Sequence, residues 1–576
     1  MEDQNSGVEA DRQMLLEAQS RGPLATTMAY SKLSGPGWLQ SAITLGGGSL
    51  AGSLYLGVVG GMSLLWLQPL AMILGIIMLS AIGYVTLSTG KRPFQAINEH
   101  VNPVLGWGWA LATLMANIVW ALPQFALASG VMQQNLIPEV LGRSDVISPF
   151  ADKVVIAGVI LVITTLVAWS YSSKGAGIKL FELVLKIMVG MIVLCFVGVL
   201  FALRGSLDWG EIFWGFIPDP SRIYEPAATF MPFIETVATE HRQFWVDQIV
   251  SSQRDILITA AATAVGINMT FLFPYSLLKR GWTKEFRGLV AFDLATGMLI
   301  PFLLATSCVV IASASQFHTQ PVPGLVEAAQ DADGNPIVPN AKERSGYRGN
   351  MKARLIKEIG MESYQSLAEG DVKELDARID QLPKAEREIG AMLVKRDAGA
   401  LATTIQPLVG KRVANLVFGV GVLGMAISTI TMLMTISGFV ICEMIGRKPE
   451  GWAFRLSCLA AAVGALGPFF WSKAAFALAV PTSVFGLILL PVAYLTFFLL
   501  MNQKKVLGDH LPKGGKRILW NVLMALSAGI ATYASVSMVW IKAGQNGLIA
   551  IGLFLGLALV VQVMRWMNPA VPSEEG

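Results

Sequence analysis

The chain has 576 residues, of which 54% are hydrophobic and 14% charged, with a formal net charge of +4 and a mean hydropathy of +0.57. Soluble domains carry about 25% charged residues, so an ordinary soluble globular protein is excluded. The small positive balance lies in short loops between apolar runs, so the expected partners are the lipid bilayer and a small solute or ion, and no nucleic acid.

Residues 1–32 are mixed and polar, without the apolar region of a cleavable signal peptide, and read as a cytoplasmic segment. Apolar runs of membrane length then recur near 36–58, 62–88, 107–136, 152–172, 178–203, 255–278, 289–315, 412–444, 455–472, 475–501, 518–541 and 546–566. That predicts an all-α integral membrane protein with about twelve spans. The expected organisation is a first repeat over 33–203, an extracytoplasmic loop over 204–254 and two spans over 255–316. A helical extracytoplasmic insertion over 317–411, three spans over 412–501 and a peripheral pair with a tail over 502–576 complete it.

The first run is interrupted by Gly46-Gly47-Gly48, followed by Ser49. Glycine costs about 1 kcal/mol relative to alanine in a helix. Unwound backbone at membrane depth is tolerated only where it is buried in protein or lines a cavity. The run therefore reads either as close helix packing through small residues or as a binding site at the midplane. The sixth run decides for the site. It carries Asn268, Thr270 and Pro274 at membrane depth, and Pro274 removes a backbone donor. Two interrupted spans, five apart, point to two inverted five-span halves with a site between them.

Loop charges set the expected orientation. With the N-terminus inside, the inner loops carry Lys91-Arg92, Lys174, Lys279-Arg280, Arg447-Lys448 and Lys504-Lys505, and the short outer loops little beyond Arg143. This positive-inside pattern predicts a multi-pass inner-membrane protein with both termini cytoplasmic. Within 317–411, Leu355, Ile359, Leu375, Ile379, Leu382, Ile389 and Leu393 recur at helical spacing between charges, so a small helical hairpin or cap is expected.

Other polar residues have plainer readings. Glu240, His241 and His318 lie in hydrated segments and read as surface residues before metal ligands. Glu182 and Lys186 are four apart on one helix face and are expected to pair as a latch near the inner end. Asp293 and Glu443 are expected to cap or pair with the basic inner loops. Cys195, Cys308, Cys442 and Cys458 sit in apolar spans, without metal-type spacing, so no structural disulfide is expected. No phosphate-binding loop or nucleophile constellation occurs, so neither an enzyme nor a cofactor is expected.

An ordered series of short segments resembles the Nramp (natural resistance-associated macrophage protein) metal transporters. These are Gly35-Pro36-Gly37-Trp38-Leu39, Leu64-Leu65-Trp66, Lys179-Leu180-Phe181-Glu182, Ala426-Ile427-Ser428-Thr429-Ile430-Thr431 and Leu490-Pro491-Val492-Ala493. The resemblance implies a LeuT-type fold with spans one to five and six to ten as inverted repeats, and divalent metal ion (Mn, Fe or Mg) transport by alternating access. It implies substrate-binding positions at Gly46, Gly47, Gly48, Ser49, Val265, Asn268, Thr270 and Ser483. It implies pathway or gating positions at Asn117, Gln124 and Tyr275, beside Glu182 and Lys186.

The chain departs from the family at those positions. The Asp and Asn of the family's Asp-Pro-Gly-Asn signature align with Gly46 and Ser49, and its Met-Pro-His signature with Asn268, Met269 and Thr270, which displaces Met269 by one. The family's acidic third-span positions align with Asn117, Gln124 and Leu127. The site is therefore expected to lack carboxylate and thioether ligands. A dehydrated divalent ion needs anionic or strongly dipolar ligands, so a hydrated ion is expected, since Mg²⁺ in particular keeps its waters. The alternatives are a small neutral, zwitterionic or anionic solute, and a non-transporting receptor or assembly protein on a transporter scaffold.

Overall fold

The computed structural model describes residues 2–138, 140, 148–171, 176–330, 334–370, 372–396, 401, 406, 410–470 and 489–567. Arg143, Lys174 and Ser483 lie outside the described residues, as does most of the expected 475–501 span, of which Leu490–Met501 is a helix. Among the described residues, eight helices are long and apolar enough to cross a membrane, and nine if one bent pair counts as a single span. The protein is a multi-pass membrane protein built on a helical bundle.

The bent pair is the first span. Pro36–Thr44 and Gly47–Leu64 meet at 58°. The sixth span is also two helices, Thr239–Thr263 and Ile267–Lys279, joined through Ala264, Val265 and an extended Gly266 (φ −78°, ψ 161°). Thr239–Thr263 runs across the expected boundary at 254/255, so this helix projects well beyond the apolar run. Glu240, Arg242 and Asp247 hide that continuity from a hydropathy reading.

The central helices are Leu67–Thr89, Lys284–Phe317 and Lys411–Met444, with 67%, 67% and 72% of their most apolar stretches buried. Gly514–Met567 lies outside them, with 11% buried. In hydrocarbon this exposure costs nothing, since lipid is as apolar as leucine. Gly544 (φ 54°, ψ −143°) divides that element in two, a backbone conformation glycine alone adopts readily. The part after Gly544 returns along the third span, where the Asn102 side chain donates to the Ala558 carbonyl at 2.8 Å.

Among the described residues, the insertion has four helices, Ala341–Ile359, Met361–Gly370, Val372–Gln381 and Lys384–Met392, beside a short antiparallel pair, Ala329–Gln330 with Pro336–Ile337. Of the apolar positions at helical spacing, Leu355, Leu375, Ile379, Leu382, Ile389 and Leu393 are buried in one cluster, with Ile359 packed against it. That cluster also takes in Trp245 and Ile249 of the Thr239–Thr263 helix. Trp245 Nε1 donates to Glu386 at 2.9 Å, and Arg354 Nε donates to the same carboxylate at 2.6 Å. The sixth span's extension and the insertion thus share one core.

His318 holds the neighbouring turn. Its Nδ1 lies 2.8 Å from the Val58 carbonyl and its Nε2 2.5 Å from Thr229 Oγ1. Both ring nitrogens are engaged, which leaves no free lone pair for a metal. All four cysteines are free.

Candidate functional site

Each break is a place where the chain loses helical hydrogen bonds. Leu45 closes the first half-helix on the Ser41 carbonyl at 2.9 Å, and Leu50 opens the second on Gly46 at 3.1 Å. Ser49 Oγ donates back across the break to the Thr44 carbonyl. Gly46 is extended (φ −108°, ψ 179°) and lies against the eighth span. A Cβ there would come 2.5 Å from Thr429 Oγ1. A Cβ at Gly47 would come 2.7 Å from Leu127 Cδ2. Gly48 is exposed, with nothing within 4 Å of where a Cβ would stand.

The third span runs past both breaks on one face. Trp109 Nε1 donates to Thr270 Oγ1 at 3.0 Å. Trp120 lies against Gly266, 3.3 Å from where its Cβ would stand. Gln124 Oε1 accepts from the Gly47 N–H at 3.1 Å. Asn117 falls on this same face by helical spacing. It is fully buried, and both its amide atoms lack a partner among the described residues.

In the sixth span, Asn268 Oδ1 accepts from the Met269 N–H at 2.9 Å, while its buried Nδ2 has no partner among the described residues. Thr270 Oγ1 donates to the Ile267 carbonyl at 2.6 Å. Val265 packs its side chain against Gly75 of the second span, which leaves only its backbone for a ligand.

The Met269 sulfur differs from its sequence reading. It accepts from the Gly266 N–H at 3.4 Å and from Thr44 Oγ1 at 3.3 Å. The thioether therefore lies between the two broken spans, despite its one-residue displacement. A helical side chain leans back over the preceding turn, so position 269 reaches the break at 266. Residues 44–49 and 264–270 contain no acidic side chain. Among the described residues, no group of three or more His, Cys, Asp or Glu could hold a metal ion.

The remaining pathway residues gather at the end of the bundle that carries the basic loops. Glu182 and Lys186 do not pair with each other there. Arg280 donates to Glu182 through Nε at 3.1 Å and Nη2 at 2.5 Å, and its Nη1 reaches the Leu33 carbonyl at 2.7 Å. Lys186 Nζ donates to the Ser34 carbonyl at 2.8 Å. Asp293 accepts from Ser34 Oγ, from the Gly35 N–H at 3.0 Å and from the Gly37 N–H at 2.6 Å. A carboxylate on the free N–H groups of a helix start is a strong cap. Together these contacts pin the start of the first span.

Tyr275 lies in the same layer and away from the break. Its ring stacks on Phe271 at 4.7 Å, and its hydroxyl accepts from the Phe94 N–H at 3.4 Å beside Glu443. Glu443 in turn pairs with Arg92 at 3.0 Å. Sequence reasoning took Arg280 only as an inner-loop charge, without its pairing to Glu182, and missed Trp109 and Thr44. Only Arg280 left a signal, as a cation at the edge of an apolar span.

A profile of the Nramp family, described as natural resistance-associated macrophage protein-like, matches residues 37–334 and 389–537. The chain belongs to the Nramp family. Among solved structures, the manganese transporter of Eremococcus coleocola, in complex with an aromatic bis-isothiourea substituted compound, is similar. It is 14% identical, with a TM-score of 0.60 over 93% of this chain and 94% of that chain. Two single-residue mutants of that transporter align with TM-scores of 0.59 and 0.60 at the same identity and coverage. These likenesses place this Nramp-family chain in the LeuT-type fold. No curated protein matches it.

Proposed function

We propose that this chain is a secondary transporter that carries a divalent metal ion, partly hydrated, by alternating access around a non-acidic site between the first and sixth spans. The observation that carries this reading is the meeting of the two breaks at Met269, where a thioether, two hydroxyls and neutral amides stand without a carboxylate. Neutral dipoles replace the water of a divalent ion poorly, but they hydrogen-bond well to water that the ion retains. One sulfur adds a contact that favours softer ions. Gly46, Gly47, Gly48, Ser49, Val265, Asn268 and Thr270 would line the site. Asn117 and Gln124 would face it from the third span.

The basic-loop end is taken as cytoplasmic, with both termini on that side of an inner membrane. The contacts of Arg280, Lys186 and Asp293 would then close the inner side, and the insertion would cap the outer one. Purified chain in liposomes, loaded with a divalent-sensitive dye, tests this reading. Saturable uptake of Mn²⁺ or Mg²⁺ is expected.

A second reading is favoured by the unpartnered amides of Asn117 and Asn268. They suit a small neutral, zwitterionic or anionic solute as well as a hydrated ion. Absence of uptake for every divalent ion, with thermal stabilisation by an amino acid or organic anion, would select it.

A further inference from the structure

Gln40 is a buried polar side chain that the site described above does not account for. It sits in the first half of the first span, is fully buried, and neither its Oε1 nor its Nε2 has a partner among the described residues. Ser41 beside it is also fully buried, and its hydroxyl has no partner among the described residues. A carboxamide offers two donors and two acceptor lone pairs, and leaving them bare inside a membrane protein is strongly unfavourable.

The place of Gln40 follows from helical spacing. Gln40 and Thr44 are four apart, so they share a face, and Thr44 on that face donates to Met269 Sδ. Gln40 therefore lies one turn, about 5 Å, from the Thr44–Met269 contact. It lies toward the end where Asp293 holds Gly35 and Gly37. That position falls between the proposed central site and the closed basic-loop end.

We propose that Gln40, with Ser41, forms a second station for the substrate on this exit path. This inference rests on the reading of the chain as a divalent-ion transporter. The ligand class is a hydrated divalent cation. Oε1 of Gln40 and Oγ of Ser41 accept from the polarised hydrogens of metal-bound water, and Nε2 donates to a further water. The station carries the ion after it leaves the Met269 sulfur and before the contacts of Arg280 and Asp293 open.

The test uses the full chain in liposomes with Mn²⁺, comparing the unsubstituted protein with Gln40→Met and Gln40→Glu. Gln40→Met keeps the volume and removes the polar atoms. It is expected to lower the maximal uptake rate about fivefold while the half-saturating concentration stays within about twofold. Gln40→Glu, which adds a charge on the path, is expected to lower by about tenfold the Mn²⁺ concentration that half-maximally raises the melting temperature. Both proteins are first shown to be monodisperse, and this stability readout does not depend on transport. Unchanged uptake by Gln40→Met, or unchanged Mn²⁺ stabilisation of Gln40→Glu, overturns the station alone. Absence of saturable Mn²⁺ uptake by the unsubstituted chain overturns the transport reading and the station together.

Discussion

The Thr44 hydroxyl donates to the Met269 sulfur at 3.3 Å, and this contact joins the broken first span to the broken sixth across 225 residues of sequence. Both partners are buried. Each lies within three residues of its own break, so movement of either half-helix changes the contact directly.

Replacing Met269 with leucine keeps the bulk and removes the sulfur. The ratio of Cd²⁺ to Mg²⁺ uptake is expected to fall about tenfold, the equivalent of roughly 1.4 kcal/mol. Competition uptake in liposomes measures it. A ratio equal to that of the unsubstituted chain would show that the thioether does not meet the ion.

The three glycines separate by what surrounds them. Gly46→Ala puts a methyl 2.5 Å from Thr429 Oγ1 and is expected to abolish uptake and to destabilise the fold by about 1–3 kcal/mol, the range for overpacking. Gly48→Ala enters open space and is expected to retain uptake and melting temperature. Equal behaviour of the two variants would dissociate the break from the site.

At the basic-loop end, Glu182 and Arg280 are 12% and 20% exposed. Glu182→Gln and Arg280→Ala are each expected to cost about 1–3 kcal/mol, below the range for a fully buried pair because water screens part of it. The double variant should cost less than the sum, since the two side chains form one contact. Hydrogen exchange over residues 34–44 should rise in all three variants. Additive losses with unchanged exchange would argue against a closure at this end.

His318, just past the seventh span, is held below its ordinary pKa of 6.5 by burial, against an opposing contribution from the Val58 carbonyl. The folded protein therefore favours the neutral ring, and the unfolded chain takes up the proton first as pH falls. Stability from this group is full above about pH 6.5 and declines as pH drops toward the folded pKa, by at most about 1.4 kcal/mol per pH unit. Thermal melts from pH 8 to 5 should show that slope, and His318→Gln should flatten it. An identical slope in the variant would assign the pH dependence elsewhere.

The breaks were legible in the sequence because two interrupted spans stand five apart, a pairing that helix packing through small residues does not call for. Their partners were not. Gln124 meets Gly47 from 77 residues away, and nothing in the local pattern announces that pairing. Glu182 and Lys186 have the spacing of a helix pair, yet Arg280 and the Ser34 carbonyl offer each a better partner across the bundle. Asp293 was legible as an acid near the interface, but its use as a cap for the first span depends on two helices meeting. The sulfur of Met269 was discounted because alignment counts positions, whereas a flexible side chain leans over a turn.

The shared core of Trp245, Glu386 and the insertion helices has a mechanical meaning. The projecting half of the sixth span is loaded with a passenger. If that half tilts during a transport cycle, the passenger tilts with it, because the two share one hydrophobic core. That half joins the other, Ile267–Lys279, through the extended Gly266, so a load on the passenger is carried to the break itself.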